Sequence, residues 1–528
     1  MRLTTIGFGL FLLASAAAFA ADDPRLVDAA KANDLPQVQS LLKAGASANS
    51  TAPDGSTALH WAIHRDNLTM LDALLAAGAK PDLATRYKIV PLTLAAQNGN
   101  AAAIDRLLKA GAKPDAISED NQTVLMTAAR NGRPDAVRAL LRAGAKVNVA
   151  ESFKGQTPLM FAAGEGNTQA AELLLEFGAD LKARSKAGYT PLLFAVRNNH
   201  LDTVKFLLSK GADPNDKIGD NTPALSMSVL NADFDVASVL LDAGANPNVP
   251  DQRGYPLHVL AWIHRPGAPP DFAMSGIDPQ PVPRPSGKVT YVDMLKKLLA
   301  KGANPNVEVT FKEGRFTPGG GLARNPPQLQ VGRHYLAYEG ATPFYLAARN
   351  GDVEFMRILA DAGADPKKTT KYGVTPLMGA ACLDYYEGET SGPYSGTSEP
   401  ERLEAVKLAL QLGNPINART TFGNYPMIGT VKDTLLRYPD NINQLLDLNV
   451  GDMRFDQMTA LHGAVICNQP SIVEYLIAQG AQVDAKNRLG WTPLDVAGGL
   501  YIANNRKDFP KEAEILKKAM AAKGIKVQ

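Results

Sequence analysis

Residues 54–82 read DGSTALHWAIHRDNLTMLDALLAAGAKPD, and this stretch decides the fold. Thr57 stands directly before an apolar run, where its hydroxyl can accept from the free N–H groups that open a helix. Leu74 and Leu75 close a second apolar run, and Gly78 follows where a helix must stop. Glycine enters the left-handed conformation without a Cβ clash, so it ends helices well. The stretch therefore reads as two short helices, a stop and a turn. Such a unit cannot cover its own apolar face and needs a neighbour on each side.

The neighbours are written in the sequence. The place of Thr57 recurs at Val90, Thr123, Thr157, Thr190, Thr222 and Tyr255, in steps of 33, 33, 34, 33, 32 and 33. It resumes at Thr342, Thr375, Tyr425, Thr459 and Thr492. The glycine ruler agrees at Gly45, Gly78, Gly111, Gly144, Gly178, Gly211 and Gly244, then Gly302 and Gly363. Prolines 158, 191, 343, 376 and 493 follow the Thr position, where a missing N–H had no helical partner. Leucine pairs such as Leu107-Leu108, Leu140-Leu141 and Leu207-Leu208 mark the second helix. Asn148, Asn215, Asn248, Asn306 and Asp484 fall in the turn that follows, and Asn449 stands in for the stop glycine of a degenerate unit near Tyr425.

This grammar resembles the ankyrin-repeat family, whose unit of about 33 residues carries a T-P-L-H-x-A signature. The resemblance implies an all-α solenoid of helix-turn-helix units with β-turn fingers. We expect about thirteen units over residues 21–528, with an N-terminal cap at 21–50, regular repeats at 51–263 and a C-terminal cap at 487–528. The last helix is expected at Lys511–Lys523.

Three departures from the period predict insertions at 264–288, 308–340 and 383–399. The gap of 87 between Tyr255 and Thr342 carries 54 residues beyond one repeat, 26 between the helices and 28 in the finger. The first insertion is proline-rich, the second mixes basic and aromatic residues, and the third mixes acidic and aromatic ones. Three readings follow: tolerated loop length, packing of the loops on the array, or a site for a partner or ligand.

The chain opens with an apolar run, Ile6–Ala14, then Ala18-Phe19-Ala20 and Asp22-Asp23. This reads as a signal peptide over residues 1–20, too short to span a bilayer, with export to the periplasm and secretion as the alternative. Lys+Arg number 55 against Asp+Glu 53, which argues against a broad nucleic-acid surface. Two cysteines rule out a disulfide scaffold and a four-cysteine metal site. Cys382 and Cys467 are expected as buried thiols about 20 Å apart, on a count of two intervening steps of helix spacing. His60 and His64 form H-x-x-x-H without the Glu of a metalloprotease helix, so His60, His258 and His462 are read as members of the repeat's hydrogen-bonding framework. Gly319–Gly321 lack the lysine of a phosphate loop.

No catalytic residue, metal ligand or cofactor is nominated. The resemblance implies a non-enzymatic scaffold that recognises a protein through fingers and first helices. The nominated contact residues are Arg86, Tyr87, Phe153, Tyr189, Arg253, Arg315, Arg333, Tyr372, Tyr385, Tyr386, Phe422 and Trp491. Aromatic and arginine side chains dominate interface energy. The alternatives are a catalytic or ligand site built by the insertions, with His334, Asp384 and Glu387 converging, or a secreted effector binding a host protein.

Overall fold

The computed structural model describes residues 24–118, 121–251, 253–264, 283–309, 339–383, 397–421, 456–499 and 508–526. The expected signal peptide lies outside these residues, as does the greater part of each predicted insertion. The chain divides into one compact unit ending at Asp220 and another starting at Asn221.

The first unit is a stack of helix pairs: α1 (Pro24–Lys31) with α2 (Leu35–Lys43), α3 (Ala58–His64) with α4 (Leu68–Ala76), α5 (Pro91–Asn98) with α6 (Ala101–Lys109), α7 (Val124–Arg130) with α8 (Pro134–Arg142), α9 (Pro158–Gly164) with α10 (Thr168–Glu176), and α11 (Pro191–Arg197) with α12 (Leu201–Ser209). The second unit continues the pattern: α13 (Ala224–Leu230) with α14 (Phe234–Asp242), α15 (Pro256–Ile263) with α16 (Tyr291–Ala300), α17 (Pro343–Arg349) with α18 (Val353–Asp361), α19 (Pro376–Ala380) with α20 (Glu399–Gln411), α21 (Ala460–Ile466) with α22 (Pro470–Ala478), and α23 (Pro493–Ala497) with α24 (Pro510–Ala522). Among the described residues, extended structure is confined to isolated bridges at finger bases, Thr51–Thr57, Ile117–Thr123 and Asp251–Gly254.

Helices of seven to nine residues are too short to stand alone in water, so burial against neighbours must hold them. Leu59, Leu92 and Leu125 on first helices, and Leu74, Leu107 and Leu140 on second helices, are buried in one continuous cluster of the first unit. Caps set the ends. Thr123 Oγ1 accepts from Met126 N at 3.2 Å, and Asn67 Oδ1 from Met70 N at 2.9 Å. At α13 the cap is Pro223 rather than Thr222.

Two polar devices tie one layer to the next. His60 Nδ1 accepts from the Thr57 amide, and its Nε2 donates to the Ile89 carbonyl of the following finger at 3.0 Å. His462 makes the same bridge to the Trp491 carbonyl. His258 makes it to Ala341, 83 residues away, across two of the insertions. The framework role expected of these histidines is what the geometry shows. Asparagine does the second job: Asn148 Nδ2 donates to the Gly178 carbonyl while its Oδ1 accepts from Asp180 N, and Asn49, Asn248, Asn306 and Asn417 repeat the clamp.

The unit expected around Tyr425 lies outside the described residues; on either side of it, α19 packs directly on α21, and α20 on α22. Asn417 clamps the Gly480 carbonyl and the Gln482 amide, which belong to the layer of α21 and α22. The described residues hold twelve helix pairs. The finger between α20 and α21 closes at its base, because Met458 N donates to Thr420 Oγ1 across 38 residues, where Ile89 N and Thr85 Oγ1 make the same bond across 4.

Around the second expected insertion, Val309 N donates to Ala341 O at 2.9 Å, closing the base of the finger. The first insertion leaves and returns at one point: the rings of His264 and Tyr291 lie 4.7 Å apart, and His264 stacks on Phe355 at 4.4 Å. Lys288 N and Val289 N then donate to the Asp235 carboxylate of the preceding layer.

The expected separation of the cysteines is also corrected. Cys382 and Cys467 touch, with Cys467 Sγ donating to the Cys382 carbonyl at 3.6 Å. The helices that precede them, α19 and α21, pack directly on each other.

Candidate functional site

Successive fingers of the first unit each carry a large exposed apolar side chain. Tyr87 is 64% exposed, Ile117 52% and Phe153 78%. Exposed Arg86, Lys88, Lys154 and Lys186 stand beside them. These fingers are held firmly. Arg86 N donates to Asp54 O and Lys186 N to Lys154 O, each at 2.9 Å, so neighbouring fingers are bonded to each other.

The Phe153 finger is built around a buried carboxylate. Glu151 accepts from Phe153 N at 2.6 Å, Lys154 N at 2.7 Å and Gln156 N at 3.0 Å. Burial pushes the Glu151 carboxyl up, but the amides of Gln156, Phe153 and Lys154, with Lys186 nearby, outweigh it and hold the group below its ordinary value. Gly155 adopts φ +70° to complete the turn. Phe153 is thus displayed on a fixed backbone, which lowers the ordering cost of binding.

The first helices add a second row. The fourth residue after each cap is Trp61, Leu94, Thr127, Phe161 and Phe194 along α3, α5, α7, α9 and α11. Cations and aromatics pair along it: Lys31 over Trp61 at 5.3 Å, Arg130 over Phe161 at 4.4 Å, and Arg197 over Tyr189 at 5.5 Å. Tyr189 also packs on Phe194 at 5.2 Å. The nominated residues omitted this row. Its signal, a fixed offset from each cap, was present in the sequence.

The nominated contacts divide into three groups. Arg86, Tyr87 and Phe153 are exposed finger residues, and Tyr189 is half-buried at the edge of the first-helix row. Arg253, Tyr372 and Trp491 are buried and are corrected as exposed tips. Arg253 turns inward to pair with Asp251 and to donate to Thr222 Oγ1 at 3.1 Å, while the Tyr372 carbonyl accepts from Thr421 N of the following finger and the Trp491 carbonyl from His462 of the preceding layer. Arg315, Arg333, Tyr385, Tyr386 and Phe422 lie outside the described residues, as do His334, Asp384 and Glu387.

Among the described residues, no group of three or more His, Cys, Asp or Glu side chains could hold a metal ion. No described helix is long and apolar enough to cross a membrane.

Sequence models of ankyrin repeats match the chain in several places. One described as three copies matches residues 26–118, 77–151, 125–218 and 187–251, one of many copies matches 443–497, and a single repeat matches 339–371. A similar curated protein is the ankyrin repeat protein OPG189 of variola virus, 29% identical over 144 residues, which are 26% of this chain and 23% of the viral one. Another is the transient receptor potential cation channel subfamily A member 1 of Drosophila melanogaster, 30% identical over 34% of this chain and 17% of the channel. The chain thus spans less than a quarter of the length of these relatives. Solved structures similar to it include the human ASB11 ankyrin repeat domain (26% identical, TM-score 0.37, 39% of this chain and 91% of that one) and the ankyrin repeat domain of Bcl-3 (30%, 0.36, 39% and 94%). The ankyrin-repeat models together match more than half of the chain, and with capped helix pairs and bonded fingers throughout the described residues, the chain belongs to the ankyrin-repeat family.

Proposed function

We propose that this protein is a non-enzymatic scaffold that binds a protein partner through the fingers and first helices of its first unit. The observation that carries the reading is the row of Tyr87, Ile117 and Phe153 on successive fingers, exposed among Arg86, Lys88, Lys154 and Lys186. Solvated tips need no apolar side chains, and a surface that displays them on bonded fingers suits an apolar partner surface with acidic groups at its rim. The chain is exported, with cleavage after Ala20, and works in the periplasm; this part rests on the N-terminal sequence alone.

Two measurements test it. Affinity capture from periplasmic extract should recover a stoichiometric partner that Phe153→Asp and Tyr87→Asp fail to recover. Equal recovery by both variants would remove the finger surface from the reading. N-terminal sequencing of the protein from cells should begin at Ala21; an intact Met1 end would overturn export.

A further inference from the structure

Cys382 and Cys467 are the protein's only cysteines, and the fold puts them against each other from adjacent layers. Cys382 follows α19 at φ +66°, in the left-handed place that Gly99, Gly132, Gly166 and Gly351 occupy after other first helices. Non-glycine residues hold the same place after other first helices at Asn33, Asp66, Asn199, Ala232 and Asn468. Its amide donates to Gly379 O, and Leu383 N to Met378 O, so the turn is fixed. Cys467 caps α21, and its Sγ donates to the Cys382 carbonyl at 3.6 Å, so the two residues meet in one buried cluster.

The surroundings favour thiolate chemistry. Arg402 is fully buried, and its Nη1 donates to the Arg349 carbonyl at 3.1 Å. Burial alone pushes the Cys382 thiol up, but the bond with Cys467 and the charges of Arg402 and Arg349 outweigh it and hold the thiol below its ordinary value. Cys467 is 9% exposed and Cys382 is closed off, so an outside reagent meets Cys467 first.

We propose that Cys382 and Cys467 are a reversible disulfide site that staples the layer of α19 and α20 to the layer of α21 and α22. The oxidant is a small-molecule or protein disulfide. The Cys467 thiolate attacks one of its sulfurs, forming a mixed disulfide and expelling a thiolate. The Cys382 thiolate then attacks Cys467 Sγ, forming the intramolecular bond and expelling the second thiolate. The protein loses two electrons and two protons, and both end on the released thiols. The bond closes a loop of 85 residues that contains both the 384–396 and the 422–455 segments. It stands at the interface formed by α19, which has five residues where α17 has seven. An array held by nearest-neighbour contacts gains from a staple where a short helix offers little surface to its neighbour. The inference does not depend on the partner reading.

The test treats the native full chain with glutathione disulfide, followed by proteolysis and mass spectrometry. The expected result is loss of both free thiols, a cross-linked peptide pair containing Cys382 and Cys467, and a raised melting midpoint, all reversed by dithiothreitol. Cys382→Ser should instead stop at a glutathione adduct on Cys467. The proposal is overturned if the wild-type protein stops at that adduct, or if both thiols survive native treatment and oxidise only in denaturant.

Discussion

The amide of Thr420 donates to the carbonyl of Met458 at 3.0 Å, although 38 positions of sequence separate them. Gln457 N returns to Thr420 O at 3.0 Å, and Gln457 takes φ +64°. In a regular finger Thr85, Ile89 and Lys88 hold the same three places, Lys88 at φ +55°. Thr421, Asp456 and Gln457 therefore correspond to Arg86, Tyr87 and Lys88.

Joining Thr421 directly to Asp456 should restore an ordinary finger. The deletion variant lacking 422–455 is expected to keep its melting midpoint within about 3 °C of wild type, since α19 and α20 already pack on α21 and α22. Thermal unfolding by circular dichroism checks this; a collapse of the helical signal would mean that the segment is a structural layer.

Gly463 lies where α21 meets the turn after α19, and a Cβ there would stand 2.7 Å from Ala381 O and Leu383 N. Gly463→Ala forces two backbones apart. It should destabilise the protein by about 1–3 kcal/mol, read as a lower urea midpoint.

Burial lowers His258 and His462 from 6.5 to about 4, against the raising effect of their backbone hydrogen bonds. Between those values the unfolded chain binds protons that the folded one refuses. Stability is therefore full above pH 6.5 and falls as pH drops toward 4, by at most about 3 kcal/mol per histidine. Asp233 and Glu512, raised by burial, work in the opposite sense. Melting curves from pH 7.5 to 4.5 should slope downward in wild type and flatten in a His258→Gln/His462→Gln double variant.

Phe153 and Glu151 separate display from support. Phe153→Ala should leave stability within about 0.5 kcal/mol and weaken the captured partner's binding by about tenfold or more. Glu151→Ala orphans three amides and should cost about 1–3 kcal/mol while also weakening binding. Calorimetry for affinity and urea titration for stability check the pair; equal affinities for wild type and Phe153→Ala would contradict the site.

The periodic elements were legible because each is dictated locally. Thr at the cap, proline after it, leucine pairs and the stop glycine act through their own backbone within one turn, and the structure places them as read. The excess of 28 residues in the 308–340 finger was legible for the same reason, since Val309 and Ala341 close it at the expected register. Contact residues were less legible. Phe153 and Tyr87 lie outward as read, but Arg253 turns inward because Asp251 and Thr222 offer it paired acceptors.

The sequence by itself determined the repeat, its two short helices and the histidine and asparagine bridges between layers, because those depend on spacing along the chain. Only the tertiary structure decided that α19 meets α21 and α20 meets α22 directly, because a period counts residues along the chain and not neighbours in space. The same stacking brings Cys382 against Cys467, a contact set by which helix faces meet rather than by distance along the chain.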